Sequence, residues 1–386
     1  MDAASDPFAL DREKLDSIVE SELGRRPASI EPIAAGLGAR RFYRVRFSLG
    51  EPQSLIARFE AEPGNEIETD PSLPDSATER NGGPLLEAAP AWLPEPSLEP
   101  LRSFLEGAGL AVPRSYAHLP DHHLDLLEDL GDRTLLGASR TERVDLYREA
   151  CGIIARLQRL SPGTQAIPAF DRIFDRALIQ TKAWKWLHWT LPGLLGRDAS
   201  DEEFRGVEAL FTRIAELLEK APRRLAHRDF KAENLHWIET GPGKEPTPPR
   251  LVMIDVQGAF MAPPEYDLVC LLYDLQVDLD ESLIQECLRA TLPDLPDAPD
   301  LETARLRFDA IAIVRLCKDI SHLVQAGRVR DDYRRWHEIP RGLFLLEQAM
   351  GRLEHTFPEV RALTSVMHVL TAAVGSPDSS SQGRAR

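Results

Sequence analysis

The sequence predicts an α+β protein of two lobes, in which a small N-terminal lobe carries an antiparallel sheet and a larger C-terminal lobe is mostly helical. Short runs with strand-like character, joined by turns, fill residues 30–59. After Gly131, apolar residues recur three and four positions apart in most segments, which is the period of a helix. The chain of 386 residues, 43% of them apolar, is long enough to bury one or two substantial cores.

The N-terminal lobe is predicted to hold a few short elements and one irregular insertion. The elements are a helix at 11–24, strands at 42–47 and 54–59, a helix from Leu101 to Ala108 and a strand running into a turn at 124–131. Residues 62–100 contain eight prolines and show no sustained period. We therefore expect this insertion to be largely irregular.

The C-terminal lobe is predicted to be helical apart from one hairpin. Helical periods run through residues 141–160, 171–190, 203–220, 281–291, 303–326 and 341–354. Two strand-like runs at 235–238 and 251–254 flank a Gly- and Pro-rich turn and predict the hairpin. The tail, residues 375–386, is rich in Ser and poor in apolar residues, so we expect it to be disordered.

Charge and composition exclude several classes of function. The chain has 62 acidic against 46 basic residues, a net charge of −16, and such a surface repels nucleic acid and anionic membranes. The absence of a long apolar run or a basic leader predicts a cytoplasmic protein, monomeric by default, whose partner is a small molecule. The four cysteines are far apart in helix-like patterns and are expected to be buried thiols.

The strongest chemical signal is the segment His227-Arg228-Asp229-Phe230-Lys231-Ala232-Glu233-Asn234, followed by Asp255 after an apolar run. This spacing reproduces the H-R-D-x-x-x-x-N and later Asp of phosphoryl transfer. Asp229 would orient an acceptor hydroxyl and take its proton, while Asn234 and Asp255 would offer oxygen ligands to Mg²⁺. Lys231 could place its ammonium near the transferred phosphoryl group. Singly, these would be turn residues and a strand cap, but the joint pattern around the hairpin favours a kinase-type site.

With these motifs in view, the sequence resembles the aminoglycoside phosphotransferase and choline kinase group of small-molecule kinases. Within that group it is most similar to sugar kinases that phosphorylate N-acetylmuramate or N-acetylglucosamine at the anomeric hydroxyl in cell-wall recycling. The stretches that carry the resemblance are Ala39 to Val45, Leu126 to Gly131, Ile254 to Ala259 and Pro264 to Val269, with Arg315, Lys318 and Ile339 to Arg341 further along.

The resemblance implies a bilobal protein-kinase-like fold with ATP and Mg²⁺ as cofactors. It implies a nucleotide-binding lobe at 1–130 with a hinge at 124–131, and a catalytic and acceptor-binding lobe at 131–374. The backbone of Glu128, Asp129 and Leu130 in the hinge would hold the adenine edge. Asp267 either buttresses the catalytic loop or serves as an ordinary helix N-cap.

The sequence departs from the group's pattern at the nucleotide phosphates. Arg58 stands where a lysine is usual, and it is either a phosphate contact, paired with Glu99, or a solvated strand residue. Glu99 has its own alternative as a solvated glutamate. The loop at Gly36 and Gly38 has two glycines where three are usual, and these glycines and Arg40 are counted with the nucleotide-binding residues.

The residues predicted to bind the acceptor lie in an aromatic segment of the chain. Trp184 and His188 stand four residues apart on one helical face and would either contact the acceptor or pack in the core. The neighbouring Lys182 and Lys185 would repel a polycation unless both point to solvent. Two alternatives to an amino sugar kinase remain open: an aminoglycoside antibiotic kinase, and a nucleotide-binding pseudokinase without turnover.

Overall fold

The computed structural model describes residues 7–34, 40–60, 95–238 and 250–374, with side chains from residue 11 onward. These residues fall into two compact units. The first takes its residues from the ranges 1–73, 92–133 and 236–254, and the second takes its residues from 74–91, 134–235 and 255–386. Residues 62–94 of the predicted insertion lie outside the described residues. The glycine loop with Gly36 and Gly38 and the tail beyond residue 374 lie outside them too.

The first unit is built on a five-stranded antiparallel sheet with the strand order β1-β2-β3-β5-β4. Its strands are β1 (Ser29–Ile33), β2 (Arg41–Arg46), β3 (Ser54–Phe59), β4 (Ser115–Leu119) and β5 (Leu124–Glu128). Helices α1 (Pro7–Leu23) and α2 (Leu98–Gly107) and the two-stranded hairpin β7 (Leu235–Ile238) and β8 (Arg250–Met253) complete the unit.

The inward-facing side chains of β2 and β3, at every second position, form the core of this unit. Tyr43, Val45, Leu55 and Ala57 are fully buried, because alternate side chains of a strand share one face. The buried Leu15 and other apolar residues of α1 belong to the same cluster. The sheet is therefore covered on one face by α1, which is the helix predicted at 11–24.

The second unit is mostly helical, as the sequence predicts. Its helices are α3 (Arg140–Leu157), α4 (Arg176–Lys185), α5 (Leu191–Leu195), α6 (Asp201–Leu218), α7 (Tyr266–Leu272), α8 (Glu281–Thr291), α9 (Leu301–Arg330), α10 (Ile339–Leu353) and α11 (Arg361–Val374). A π-helix at Trp186–Thr190 joins α4 to α5. A second two-stranded sheet pairs β6 (Arg224–Ala226) with β9 (Phe260–Ala262).

The structure corrects several sequence-based boundaries. Helix α2 begins at Leu98, so the last residues of the predicted irregular insertion are helical. Strands β7 and β8 belong to the same compact unit as the five-stranded sheet, whereas the sequence analysis assigned them to the helical lobe. The predicted helix at 171–190 starts only at Arg176 and changes to a π-helix at Trp186. None of the described helices is long and apolar enough to cross a membrane.

Arg58 is buried inside the sheet and held by carboxylates. Its Nη1 donates to Asp125 Oδ2 and to Glu60 Oε1, both at 2.7 Å, and Asp125 faces Arg58 across the β3–β5 register. The other oxygen of Asp125 lies 2.6 Å from His118 Nδ1. Glu99, the residue predicted to pair with Arg58, instead binds Arg102 at 2.7 Å. The predicted Arg58–Glu99 pair is therefore wrong, and so is the alternative of a solvated strand arginine.

We predict that Arg58→Met destabilises the protein by about 3 kcal/mol, because it leaves the buried Asp125 without its cation. Arg46→Met is the matched control on the same sheet, since Arg46 and its partner Glu31 are both about half exposed at 3.5 Å. That exposed pair contributes about 0–1 kcal/mol to the free energy of unfolding. Urea unfolding of both variants measures the difference.

The phosphate-binding interpretation of Arg58 makes the opposite prediction. An Arg58→Met variant with wild-type stability and a raised KM for Mg-ATP would contradict the structural role of the pair. It would also show that the arginine acts on the nucleotide.

Candidate active site

The segment 227–234 forms a loop directly after β6, and its backbone is strained. Arg228 has φ 81°, a left-handed conformation that a residue with a side chain rarely adopts. Such a conformation costs about 1–3 kcal/mol and persists only where neighbouring groups hold it. The loop must therefore be stabilised from outside.

Asp267 in the first turn of α7 supplies much of this support. Its carboxylate accepts the backbone N–H of His227 at 2.7 Å and that of Arg228 at 3.1 Å. Burial raises the pKa of Asp267 to about 6, although His227 and these two amides favour the carboxylate. The interpretation of Asp267 as a buttress of the catalytic loop is confirmed.

Arg315 of α9 fixes the peptide that follows Arg228 and the side chain of Asp229. Its Nη1 donates to the Arg228 carbonyl at 2.8 Å, and its Nη2 donates to Asp229 Oδ1 at 2.7 Å. The Sγ of Cys270 in α7 also donates to the Arg228 carbonyl, at 3.2 Å. One guanidinium thus sets both the backbone of the loop and the position of the Asp229 carboxylate.

Asp229 lies within a cluster of positive charges. Lys318 Nζ is 3.9 Å from Oδ1, and Arg228 Nε is 3.8 Å from Oδ2. Burial alone would raise the pKa of Asp229, but Arg315, Lys318, Arg228 and Lys231 outweigh it and hold the pKa well below its usual range. The carboxylate is therefore ionised throughout the neutral range.

The predicted metal ligands offer oxygen atoms at the two ends of the hairpin. Asn234 donates its Nδ2 to the Asp229 carbonyl at 2.9 Å, which turns the other atom of the amide, Oδ1, away from that bond. Asp255 is exposed in a left-handed conformation at φ 61°, and Gln257 Nε2 donates to its Oδ1 at 2.6 Å. One amide oxygen and one carboxylate suit Mg²⁺, which commonly takes one or two protein ligands beside phosphates.

Lys231 is engaged with a neighbour in the same loop. Its ammonium forms an ion pair with Glu233, whose carboxylate also lies 3.7 Å from Arg335 Nη1. Burial alone would lower the pKa of Lys231, but Glu233 and Asp229 reverse this effect and raise it. Lys231 therefore carries a positive charge close to Asp229, and its predicted action on a phosphoryl group stays a prediction.

A narrow cavity lies beside this loop. Its wall contains four cationic side chains, namely Lys182, Arg228, Arg315 and Lys318. The rings of Phe174, Phe260 and Tyr266 form another part of the wall and pack against one another with centroids 4.8–5.8 Å apart. The described residues that line this cavity include no acidic side chain.

The predicted acceptor residues are packed within the protein. Trp184 is 3% exposed, and its ring stacks on His188 with centroids 4.6 Å apart. Trp189 and Phe204 contact this pair edge-on at 5.7 and 5.6 Å. These contacts favour the packing interpretation, and a role of Trp184 and His188 in acceptor binding stays a prediction.

The predicted nucleotide residues lie in the sheet-containing unit. The backbone N–H of Glu128 donates to the Arg114 carbonyl at 2.8 Å, and Asp129 binds Arg44 at 2.9 Å and the Gly131 amide at 3.0 Å. Leu130 lies between Asp129 and Gly131 in the sequence. Arg40 pairs with Glu95 and lies 3.5 Å from Glu60, whereas Gly36 and Gly38 lie outside the described residues. Binding of adenine or phosphate by this set stays a prediction.

Sequence reasoning missed the helix α9 as a source of site residues. Arg315 and Lys318 were noted only loosely, and Asp319 and His322 not at all. Lys318, Asp319 and His322 follow Arg315 by three, four and seven positions, so the four residues share one face of α9. Ionisable residues on a buried helix are a signal for a functional site. Asp274, which accepts the Ala232 amide at 3.0 Å, was also missed.

Solved structures with a similar fold are small-molecule kinases. The choline kinase LicA from Streptococcus pneumoniae matches with a TM-score of 0.55 and 16% identity, over 92% of this chain and 99% of its own. The ADP-bound aminoglycoside phosphotransferase APH(2'')-Ib matches with a TM-score of 0.52 and 15% identity, over 88% and 96%. The chain therefore has the protein-kinase-like fold of these enzymes.

Curated relatives share more of the sequence. The N-acetylmuramate/N-acetylglucosamine kinase of Pseudomonas aeruginosa is 28% identical, over 64% of this chain and 71% of the relative. The kinase of the same name from Pseudomonas putida is 24% identical, over 69% and 76%. The sequence model of the phosphotransferase enzyme family matches residues 29–305 and so includes the whole catalytic loop, Asp255 and Asp267. The chain belongs to this phosphotransferase enzyme family.

Proposed function

We propose that this enzyme is an ATP- and Mg²⁺-dependent kinase that phosphorylates a small amino sugar, N-acetylglucosamine or N-acetylmuramate, at the anomeric hydroxyl. The observation that carries the proposal is the ion pair between Asp229 and Arg315, which lines the cation-rich cavity beside the loop. The names of the curated relatives support the choice of sugar.

Asp229 is the group that receives the acceptor hydroxyl. Arg315 holds Oδ1 at 2.7 Å, whereas among the described residues the cation nearest to Oδ2 in an ion pair is Arg228, with its Nε at 3.8 Å. Oδ2 is therefore the oxygen that orients the hydroxyl and accepts its proton. A carboxylate with a low pKa is a weak base, but phosphoryl transfer depends mainly on positioning and on charge stabilisation.

Asn234 and Asp255 hold the metal in this proposal. When bound, Mg²⁺ would offset the negative charge of the nucleotide phosphates. The bond from Asn234 Nδ2 to the Asp229 carbonyl links one metal ligand to the base through the backbone of the loop. This bond fixes the position of Asn234 relative to Asp229.

The charge around Asp229 argues against an aminoglycoside acceptor. A polycation that enters the cavity would approach Lys182 and Lys318, and each like-charged pair at 4 Å costs about 1 kcal/mol in water and more where water is excluded. A neutral or anionic sugar meets no such cost.

We predict that Asp229→Asn lowers turnover on the sugar by roughly 10²–10⁴-fold with little change in nucleotide affinity, because a positioned acid–base group contributes that much. Asp255→Asn should also weaken the binding of Mg-ADP, measured by calorimetry with and without the metal. Asp145→Asn is the control, since Asp145 is exposed on α3 and pairs with Arg148 at 3.0 Å. Near wild-type turnover of Asp229→Asn would contradict the assignment.

We also predict that kcat/KM for N-acetylglucosamine, N-acetylmuramate or glucosamine exceeds that for kanamycin-type aminoglycosides by at least tenfold. The reason is the repulsion of the polycation by the cavity lysines. A nucleotide-consumption assay over both substrate classes, with Mg²⁺, measures the ratio. If an aminoglycoside is preferred by tenfold or more, the enzyme is an antibiotic kinase instead, and nucleotide binding without any turnover would indicate a scaffold protein.

A further inference from the structure

The catalytic loop is held at two places by carboxylates at the two ends of α7. Asp267, in the first turn of this helix, accepts the amides of His227 and Arg228. Asp274 lies two residues beyond the end of α7, and its Oδ2 accepts the amide of Ala232 at 3.0 Å. All seven residues of α7 are buried, so the helix joins both contacts as one rigid element. The first contact supports the catalytic carboxylate, and the second needs its own explanation.

The second contact lies at the start of the short 3₁₀ turn Ala232–Asn234, which carries one of the predicted metal ligands. The side chain of Lys231, just before this turn, offers the Ala232 amide no acceptor, because an ammonium only donates. Ala232 is 0% exposed, so water is not an alternative partner. Without Asp274 this buried amide would be left unpaired, which would favour a rearrangement of the turn.

The hydrogen bonds of this turn connect Ala232 to Asn234. The carbonyl of Ala232 accepts the amide of Leu235, which closes the turn. The backbone N–H of Asn234 donates to the Lys231 carbonyl at 3.0 Å, and its Nδ2 donates to the Asp229 carbonyl at 2.9 Å. A turn of three residues has little freedom to move at one end alone. The carboxylate that fixes Ala232 therefore also fixes the side chain of Asn234.

The burial of Asp274 opposes folding unless its carboxylate is needed. The residue is 6% exposed, and burial raises its pKa, although the amides of Gln276 and Ala232 favour the charged form. The Gln276 amide donates to Oδ1 at 3.0 Å, so each carboxylate oxygen accepts one backbone amide. An asparagine would offer only one acceptor, because the other half of its amide group is a donor. The position therefore uses what a carboxylate alone supplies at this size, two acceptors.

We propose that Asp274 is a positioning residue for the metal site, which holds the Ala232 amide and through the turn orients the amide oxygen of Asn234. The inference rests on the proposed function, in which Asn234 and Asp255 hold Mg²⁺. The two ends of α7 then have separate tasks, because Asp267 supports the base and Asp274 supports a metal ligand. Removal of a group that orients a metal ligand typically lowers metal affinity by about 10–100-fold.

The test compares the calorimetric binding of ADP to the wild type and to Asp274→Ala, each with and without Mg²⁺. The alanine removes both acceptors and leaves the Ala232 amide unpaired. We expect the gain in ADP affinity that Mg²⁺ provides to fall by about tenfold or more, while the metal-free affinity for ADP stays within about twofold of the wild type. The Mg²⁺ concentration for half-maximal turnover should rise correspondingly, with an unchanged KM for the sugar.

Glu203→Ala is the matched control for a general loss of stability. Glu203 is 8% exposed in the first turn of α6, and its Oε2 accepts the Ser200 amide at 2.6 Å. Its truncation therefore also removes a buried carboxylate from a backbone amide of the same unit. We expect both variants to unfold at lower urea concentration, but only Asp274→Ala to lose the effect of Mg²⁺. A purely structural role of Asp274 predicts the same binding result for both.

A double variant, Ala232→Pro with Asp274→Ala, tests the role of the amide itself and serves if Asp274→Ala alone does not fold. Proline removes the N–H that would otherwise be unpaired. Ala232 is the first residue of a helical turn, and the preceding Lys231 is extended with ψ 164°, and both features suit proline. We expect the double variant to recover the effect of Mg²⁺ at least in part. A folded double variant in which this effect stays tenfold below the wild type would overturn the proposal.

An unchanged effect of Mg²⁺ in Asp274→Ala would also overturn the positioning role, while leaving the proposed kinase intact. If the wild type binds ADP no more tightly with Mg²⁺ than without it, the metal assignment in the proposed function is wrong, and the positioning role falls with it. A selective loss of the Mg²⁺ effect supports both the metal site and the role of Asp274, whichever acceptor the enzyme uses.

Discussion

The catalytic loop depends on a pair of hydrogen bonds from its backbone to the buried carboxylate of Asp267. These bonds, at 2.7 and 3.1 Å, hold the peptide that leads into the left-handed Arg228, and Asp229 follows directly. Without them the loop could relax to an ordinary backbone conformation, and the Asp229 carboxylate would lose its position. The strain at Arg228 is therefore part of how the site is built.

Arg315 couples this backbone support to the chemistry. The same guanidinium binds the Arg228 carbonyl and the Asp229 carboxylate, so a shift of α9 would move both together. This arrangement buries several charges, and the structure tolerates their burial only when each charge is paired and hydrogen-bonded. Asp319 contributes to this balance by binding Arg315 at 3.0 Å and Lys318 at 3.1 Å.

The sequence predicted the elements with a clear period and the residues of a continuous motif. Asp229, Asn234 and Asp255 were singled out because their spacing is typical of phosphoryl transfer, and their roles stay a prediction. The strands β2 and β3 were predicted from short runs with strand-like character. Helix α7 has no amphipathic period because all its residues are buried, so only the resemblance indicated a helix near Asp267. The Arg58–Glu99 pair was wrong because cross-strand register, which joins Arg58 to Asp125, cannot be read from spacing along the chain.

In the proposed function, the cations around Asp229 connect catalysis to acceptor choice. They depress the pKa of Asp229, which phosphoryl transfer through a loose transition state would tolerate because the hydroxyl proton leaves late. They also attract anionic groups and repel amines. A site adapted to a polycation would have to give up some of these charges, and the loss of Arg315 or Lys318 would release Asp229 as well. In the proposed function, the same residues therefore determine the charge of the acceptor and the position of Asp229.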